Sequence, residues 1–348
     1  MESEPTMKRV SRAMLWCLSA ICLGLAGCSS SGKLEVAFVS NNAADFWKIA
    51  EAGCRKAEAD LGIKVNVRMP PNGTAAEQKE YIDTLLSQGV KGIAISVIDP
   101  KNQSDFLAKV AKRTNLITQD NDAPASGRLC YIGTDNYQAG LATGELVKEA
   151  LPDGGVIGIF VGQIEPLNAQ QRRNGVLDAL AGERVAEARG GAPGQYGKYR
   201  LVNVYVDGVN EKIAKEKAQD FLSETQKEPK VCMVGLWAYN PPAMLSAYEK
   251  YTGENKSGIR LVGFDEHADT LRGIAEGTIV GTVVQDPFKF GYESARVLAA
   301  VARGDRSVLP ADGLLHVPHR VVTKAGGPGR IAVDQFQAEL ARLLGKAP

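Results

Sequence analysis

The chain lacks the patterns that mark the common enzymes and nucleic-acid binders. Its three histidines, His267, His316 and His319, give one i, i+3 pair and no H-E-x-x-H, so no metal site is expected from them. The Gly-Lys pairs at Gly32, Gly197 and Gly345 are not followed by Ser or Thr, which removes the phosphate-binding loop. Gly154-Gly155-Val156-Ile157-Gly158 leads into a strand instead of out of one, so it is no dinucleotide fingerprint. Charge of one sign is missing too: 41 basic against 40 acidic residues leave +1, which gives nucleic acid no electrostatic hold. The expectation is a non-enzyme with no cofactor, no metal and no nucleic-acid partner. Six cysteines show no C-x-x-C, and the uncharged run from Ala13 to Ala26 is too short to span a bilayer comfortably.

What that run does suit is export. Lys8, Arg9 and Arg12 precede it as the basic region of a secretory signal. It ends in Leu25-Ala26-Gly27-Cys28, which resembles the bacterial lipobox. The resemblance implies a signal peptide over 1–27, a lipidated Cys28 as the new N-terminus, and a tether over 28–33 that is rich in Ser and Gly. The alternative is an uncleaved anchor. Cys17 and Cys22 then leave with the signal, and Cys54, Cys130 and Cys232 remain, an odd number in apolar patterns that reads as buried small side chains.

At 348 residues and 44% hydrophobic, the chain is long enough for two domains with full cores. From Lys33 onward strand-like runs alternate with helix-like segments, the pattern of an α/β fold with a parallel sheet wrapped by helices. Leu34 to Ser40 reads as a strand and Phe46 to Leu61 as a helix stopped by Gly62; Thr74-Ala75-Ala76-Glu77 opens a helix with a capping box. Arg189 to Gly197 reads as a Gly-rich loop, Leu314 to Val322 as strand-like, and Ile331 to Leu344 as an amphipathic helix carrying Phe336, Leu340 and Leu343 on one side.

Polar and aromatic clusters recur after the strands: Asn41, Asn42, Asp45, Phe46 and Trp47; Asp120, Asn121 and Asp122; Asn168, Gln170 and Arg172; Asp207; Trp237, Tyr239 and Asn240; Asp265; Gln285. In open α/β sheets ligands meet the protein at strand ends. These groups suit a sugar, because hydroxyls both donate and accept and aromatic faces cover the C–H surface of the ring. Taken singly each cluster could be a cap or a turn; Asp265 in particular either caps the helix beginning near His267 or faces a ligand.

Phe46-Trp47, Tyr131-Ile132-Gly133-Thr134-Asp135-Asn136, Val262-Gly263-Phe264-Asp265, and Gln285 before Asp286-Pro287 resemble the type I periplasmic sugar-binding proteins, the ribose/galactose group whose fold is shared with the ligand domain of the lactose-repressor family. The resemblance covers roughly Leu34 to Val322. It implies two similar doubly wound parallel-sheet lobes joined by a three-crossing hinge, over 34–134 plus 286–316 and 135–285 plus 317–348, with a sugar in the cleft. It implies Phe46 and Trp47 as stacking aromatics, Asp120 as the first-lobe carboxylate, Asn240 and Asp265 as second-lobe partners and Gln285 at the hinge. Asn42, Asp45, Asn121, Asn168, Gln170, Arg172 and Trp237 complete the candidate set, Trp237 as a second stacking face or a core residue. Departures count against ribose itself: the Arg expected after the first-lobe carboxylate is Asn121, and the second-lobe Arg aligns with Gln170, with Arg172 two residues on. The function implied is a lipid-anchored, monomeric substrate-binding component of an ABC importer for a sugar or polyol, partnered by a membrane permease. The alternative is a ligand sensor for a membrane kinase or chemoreceptor. A repressor would need a helix-turn-helix where the export signal stands.

Overall fold

The computed structural model describes residue 1 and residues 32–345; Cys28 and its lipobox lie outside the described residues. The chain enters with β1 (Glu35–Val39), α1 (Asp45–Leu61), β2 (Lys64–Arg68), α2 (Ala75–Ser87), β3 (Gly92–Ile95), α3 (Pro100–Ala111), β4 (Asn115–Gln119) and β5 (Tyr131–Gly133). It then builds a second body from α4 (Asn136–Ala150), β6 (Gly155–Val161), α5 (Leu167–Ala181), β7 (Gly194–Tyr196), β8 (Tyr199–Val206), α6 (Glu211–Glu224), β9 (Val231–Gly235), α7 (Asn240–Lys250), β10 (Ile259–Phe264), α8 (Ala268–Glu276) and β11 (Ile279–Val284). Helix α9 (Pro287–Ala302) and β12 (Leu314–His316) return to the first body, and β13 (Arg320–Thr323), β14 (Arg330–Ala332) and α10 (Val333–Leu343) finish the second.

The strand orders are β12-β5-β4-β3-β1-β2, all parallel, and β14-β13-β11-β10-β9-β6-β8-β7, parallel apart from the β11–β13 and β7–β8 pairings. This is the two-lobed α/β class that the sequence implies, with three passages between the sheets, after β5, after β11 and after β12. The central strands, such as β3, β6 and β9, are buried on both faces because they carry apolar or glycine residues throughout, and the period-two alternation sends them to opposite cores. In β1, Val36 and Phe38 pack under α1 and α9 while Ala37 and Val39 pack against Ile82 and Leu85 of α2. In β10, Val262 and Phe264 face one core and Ile259 and Leu261 the other.

Several local expectations hold. The Thr74 hydroxyl accepts from the Glu77 N–H and the Glu77 carboxylate accepts from the Thr74 N–H, each at 3.2 Å, closing the capping box. Cys54, Cys130 and Cys232 are buried free thiols, and burial pushes the Cys130 thiol up to about 11. Phe336 is buried and Leu340 packs beside it. Two expectations change. The Gly-rich loop contains β7, hairpinned to β8 across Gly197-Lys198, where Gly197 takes φ +57°. The run from Leu314 to Val322 is two strands in different sheets, because Pro318 interrupts it and the chain crosses there.

Candidate functional site

Strands β4 and β10 each end on an aspartate in the left-handed region, Asp120 at φ 59° and Asp265 at φ 63°. Asp reaches this region more easily than most residues because its side chain is short and polar. The two corners are built alike. The Asp120 N–H donates to the Ile132 carbonyl at 3.1 Å, and its own carbonyl accepts from the Tyr131 hydroxyl at 2.9 Å. The Asp265 N–H donates to the Val283 carbonyl at 2.8 Å, and its carbonyl accepts from Thr282 Oγ1 at 2.9 Å. With the backbone groups satisfied by the next strand, each carboxylate is left for the cleft between the lobes. The helix after Asp265 is capped by His267, whose Nδ1 accepts from the Asp269 N–H at 3.2 Å, so Asp265 is not the cap.

Between the two carboxylates sits Arg172, delivered by α5. That helix lies close against α4 because glycines meet backbone on both sides: a Cβ on Gly140 would overlap the Arg172 carbonyl, and one on Gly175 would overlap the Tyr137 carbonyl. Arg172 Nε donates to Asn136 Oδ1 at 2.8 Å, Nη1 donates to the Leu236 carbonyl at 3.0 Å, and the guanidinium lies 4.0 Å from the Phe264 ring centroid. Nη2 has no protein partner. Asp120, Arg172 and Asp265 are 4%, 2% and 5% exposed, so desolvation dominates their electrostatics. Burial raises the Asp120 carboxyl against the opposing pull of Arg172 and the Ser96 hydroxyl, which donates to Oδ2 at 2.7 Å. Burial likewise lifts Asp265 to about 6, against Arg172 and against Gln285 Nε2, which donates to Oδ1 at 2.9 Å. Burial depresses the Arg172 guanidinium, and Asp265 and then Asp120 oppose that. The adjacent Glu266 carboxyl, also buried without a partner, stands well above the usual range, from burial first and Asp265 second.

These groups form the floor of a cavity of about 530 Å³. Phe46 and Trp47 form one wall, ring centroids 5.0 Å apart and edge to face, with Trp47 Nε1 donating to Asn41 Oδ1 at 2.9 Å. Trp237 and Tyr239 form the opposite wall, where Gly162 leaves the space that a Cβ would take from both rings. The lobes touch at the floor, where the Asn168 N–H donates to Asn121 Oδ1 at 3.2 Å. Besides Arg172 Nη2, the buried atoms Asn168 Oδ1, Trp237 Nε1 and Gln285 Oε1 have no protein partner. Buried polar atoms without partners are costly, so four on lining residues of one cavity are a polar ligand's complement. The charged lining groups are one guanidinium, Arg172, and three carboxylates, Asp120, Asp265 and Glu211, a balance that disfavours an anionic ligand.

Of the sequence candidates, Asn42, Phe46, Trp47, Asp120, Asn121, Asn168, Arg172, Trp237, Asp265 and Gln285 line this cavity. Asp45, Gln170 and Asn240 do not. Asp45 opens α1 in solvent and pairs with Lys48 at 2.7 Å. Gln170 turns back to the Glu165 carbonyl, donating at 3.0 Å, and α5 sends Arg172 inward instead. Asn240 is buried behind the wall, its Oδ1 accepting from the Trp237 N–H and its Nδ2 donating to Asp207 at 3.0 Å. Asp207 also accepts from the Tyr239 hydroxyl at 2.6 Å, so this pair positions Trp237 and Tyr239 instead of lining the cavity. The candidate set omits Gln163 and the rim residues Asn72, Thr74, Val209 and Glu211. For Thr74 the capping box was the visible signal, since it places a helix start after β2. Nothing in the sequence marks Val209.

Comparison with known proteins agrees with this geometry. The periplasmic binding protein domain matches residues 36–306. The ribose import binding protein of Haemophilus influenzae is 22% identical over 84% of this chain and 95% of its own length. The D-galactose/methyl-galactoside binding periplasmic protein of the same organism is 26% identical, over 72% of this chain and 75% of its own. An ABC transporter solute binding protein from Burkholderia graminis, solved in complex with D-arabinose, superposes with a TM-score of 0.75 at 27% identity, over 85% of this chain and 96% of that one. With the fold, the cleft and the matched span in agreement, the chain belongs to the periplasmic binding protein domain family.

Proposed function

We propose that the chain is exported, anchored through a lipid on Cys28, and acts as a monomer that captures a neutral sugar or polyol for an ABC permease. The observation that carries this reading is the floor of the cleft, where carboxylates from both lobes flank one buried guanidinium and four buried polar atoms lack protein partners. A ligand bonded to Asp120 on one lobe and to Arg172 and Asp265 on the other stabilises the closed arrangement by its differential affinity for it, and closure presents the joined lobe faces to the permease. The names of the relatives, for ribose, galactose and D-arabinose, support a sugar in this cleft. A sensing partner would read the same closed state.

The test uses the soluble form beginning at Ser29. Removing the segment before it leaves Trp47 and Trp237 as the tryptophans, both on cavity walls, so intrinsic fluorescence reports occupancy. A saturable change with a monosaccharide or polyol, a rise in melting temperature and compaction by small-angle scattering are expected. An unchanged shape at saturation sinks the closure mechanism.

A further inference from the structure

We infer that the cleft holds a second ring beyond the one at the floor, so that the preferred ligand is a neutral disaccharide. The inference rests on the sugar-binding reading and deepens it. A single pyranose displaces roughly 200 Å³, below the pockets of about 300–1,000 Å³ that drug-sized ligands fill. The cavity of about 530 Å³ therefore keeps more than half its volume once the floor is occupied.

That remaining volume has built walls. On the first lobe it is bounded by Asn72, Gly73 and Thr74. Asn72 is fixed through Nδ2 and its N–H to the Glu77 carboxylate, at 2.7 and 3.2 Å, and Thr74 by the capping box. On the second lobe it is bounded by Gly208, Val209 and Glu211. Val209 is the unusual residue. It is β-branched yet adopts φ +62°, and it leaves an apolar side chain 43% exposed at the cavity mouth. For a β-branched residue that backbone is an outlier, and strain of this kind persists only where neighbours impose it. Here the Val209 N–H donates to Asp207 Oδ1 at 2.9 Å, and the same carboxylate holds Tyr239 and Asn240. The network that sets the aromatic wall thus also holds Val209 over the outer volume. An apolar side chain on one lobe and, on the other, the Asn72 side-chain carbonyl, whose amide nitrogen Glu77 holds, suit the C–H face and a hydroxyl of a second sugar ring. Among the described residues no cation lines the rim and Glu211 does, so the second unit is uncharged and in particular not phosphorylated.

The experiment titrates the Ser29-initiated form, by tryptophan fluorescence and calorimetry, with D-glucose, D-galactose, D-xylose and L-arabinose, and with cellobiose, maltose, lactose, melibiose, xylobiose and arabinobiose. A disaccharide carrying the preferred ring should bind about tenfold more tightly than that monosaccharide, the worth of one good apolar contact. Val209→Gly, which relaxes the positive φ and so does not threaten folding, should bring that ratio close to one. A monosaccharide that binds while every disaccharide containing it binds equally or more weakly overturns the second compartment and leaves the sugar reading intact. A ratio unchanged in Val209→Gly overturns the assignment of Val209. No saturable response to any of these sugars overturns the sugar reading itself, and the second ring with it.

Discussion

Asp265→Asn should make the ligand-free protein more stable and its ligand binding weaker. The carboxyl of Asp265 rises from 3.8 to about 6 because burial outweighs the attraction of Arg172 and the hydrogen bond from Gln285. Since that net rise already contains the Arg172 attraction, neutralising Asp265 beside a charged Arg172 recovers the whole of it. At 1.36 kcal/mol per pKa unit, the ionised carboxylate costs the folded state about 3 kcal/mol at pH 7.5. Asparagine keeps the shape and the oxygen that Gln285 bonds, and it is among the residues best suited to φ +63°. The sign follows from linkage. A folded-state pKa above the unfolded one means the native state holds the extra proton between pH 3.8 and about 6, so this group's stability contribution is complete at low pH and lost as pH rises through about 6. The variant has no such loss.

Urea unfolding of the ligand-free protein between pH 4.5 and 8 measures this directly. The gap between variant and wild type should be about 1 kcal/mol at pH 4.5 and open to about 3 kcal/mol at pH 7.5, or roughly 5 °C in melting temperature for a chain of this length. Ligand affinity should fall roughly 10- to 100-fold, the worth of one or two hydrogen bonds to a charged acceptor. Wild-type affinity should itself weaken below pH 6 as the carboxylate protonates. A variant less stable than wild type at pH 7.5, or a gap that does not change with pH, would show that Arg172 outweighs burial and refute the reasoning.

Arg172→Lys cannot reproduce the fork that serves Asn136 and Leu236 together, so calorimetry should show affinity lowered about 100-fold and urea unfolding a stability loss of about 1–3 kcal/mol. Gly140→Ala sets a methyl against the Arg172 carbonyl and should push α5 away from α4, costing about 1–3 kcal/mol and weakening binding although residue 140 does not line the cavity; a binding isotherm identical to wild type would contradict that coupling. Cys54, Cys130 and Cys232 should resist a thiol reagent in the native Ser29-initiated form and all react in denaturant, and fast native labelling of any of them would place that thiol outside the core.

The alternation of strands and helices pointed to the α/β class, because a parallel sheet buried on both faces needs apolar runs between helices, while the hinged two-lobed arrangement is what the family resemblance implies. It could not show β7, which is three residues held by a glycine hairpin, nor divide Leu314 to Val322 between two sheets, since a short strand's partner is decided by tertiary pairing. Among the site residues, the Arg expected in the second lobe aligns most simply with Gln170, with Arg172 two residues on. Only the α4–α5 glycine contact, which fixes the rotation of α5, sends one inward and leaves the other beside Glu165.

The aspartates at strand ends show where such reading stops and what decides the matter. Asp99, Asp135 and Asp286 follow strands and each accepts from the backbone N–H three residues on, so they are helix caps. Asp120 and Asp265 look the same in sequence, but both adopt positive φ and receive a hydroxyl from the adjoining strand at their own carbonyl. A cap takes extended φ and ψ and turns its carboxylate onto its own helix, whereas the left-handed residue turns it away. Asp207 is a third kind, committed to Tyr239, Asn240 and the Val209 N–H. The property that separates the cleft-lining carboxylates from caps in this fold is therefore backbone handedness, held by Tyr131 and Thr282 from the next strand. Removing either hydroxyl, as in Tyr131→Phe or Thr282→Val, should loosen one aspartate corner and lower affinity without touching a group that contacts the ligand.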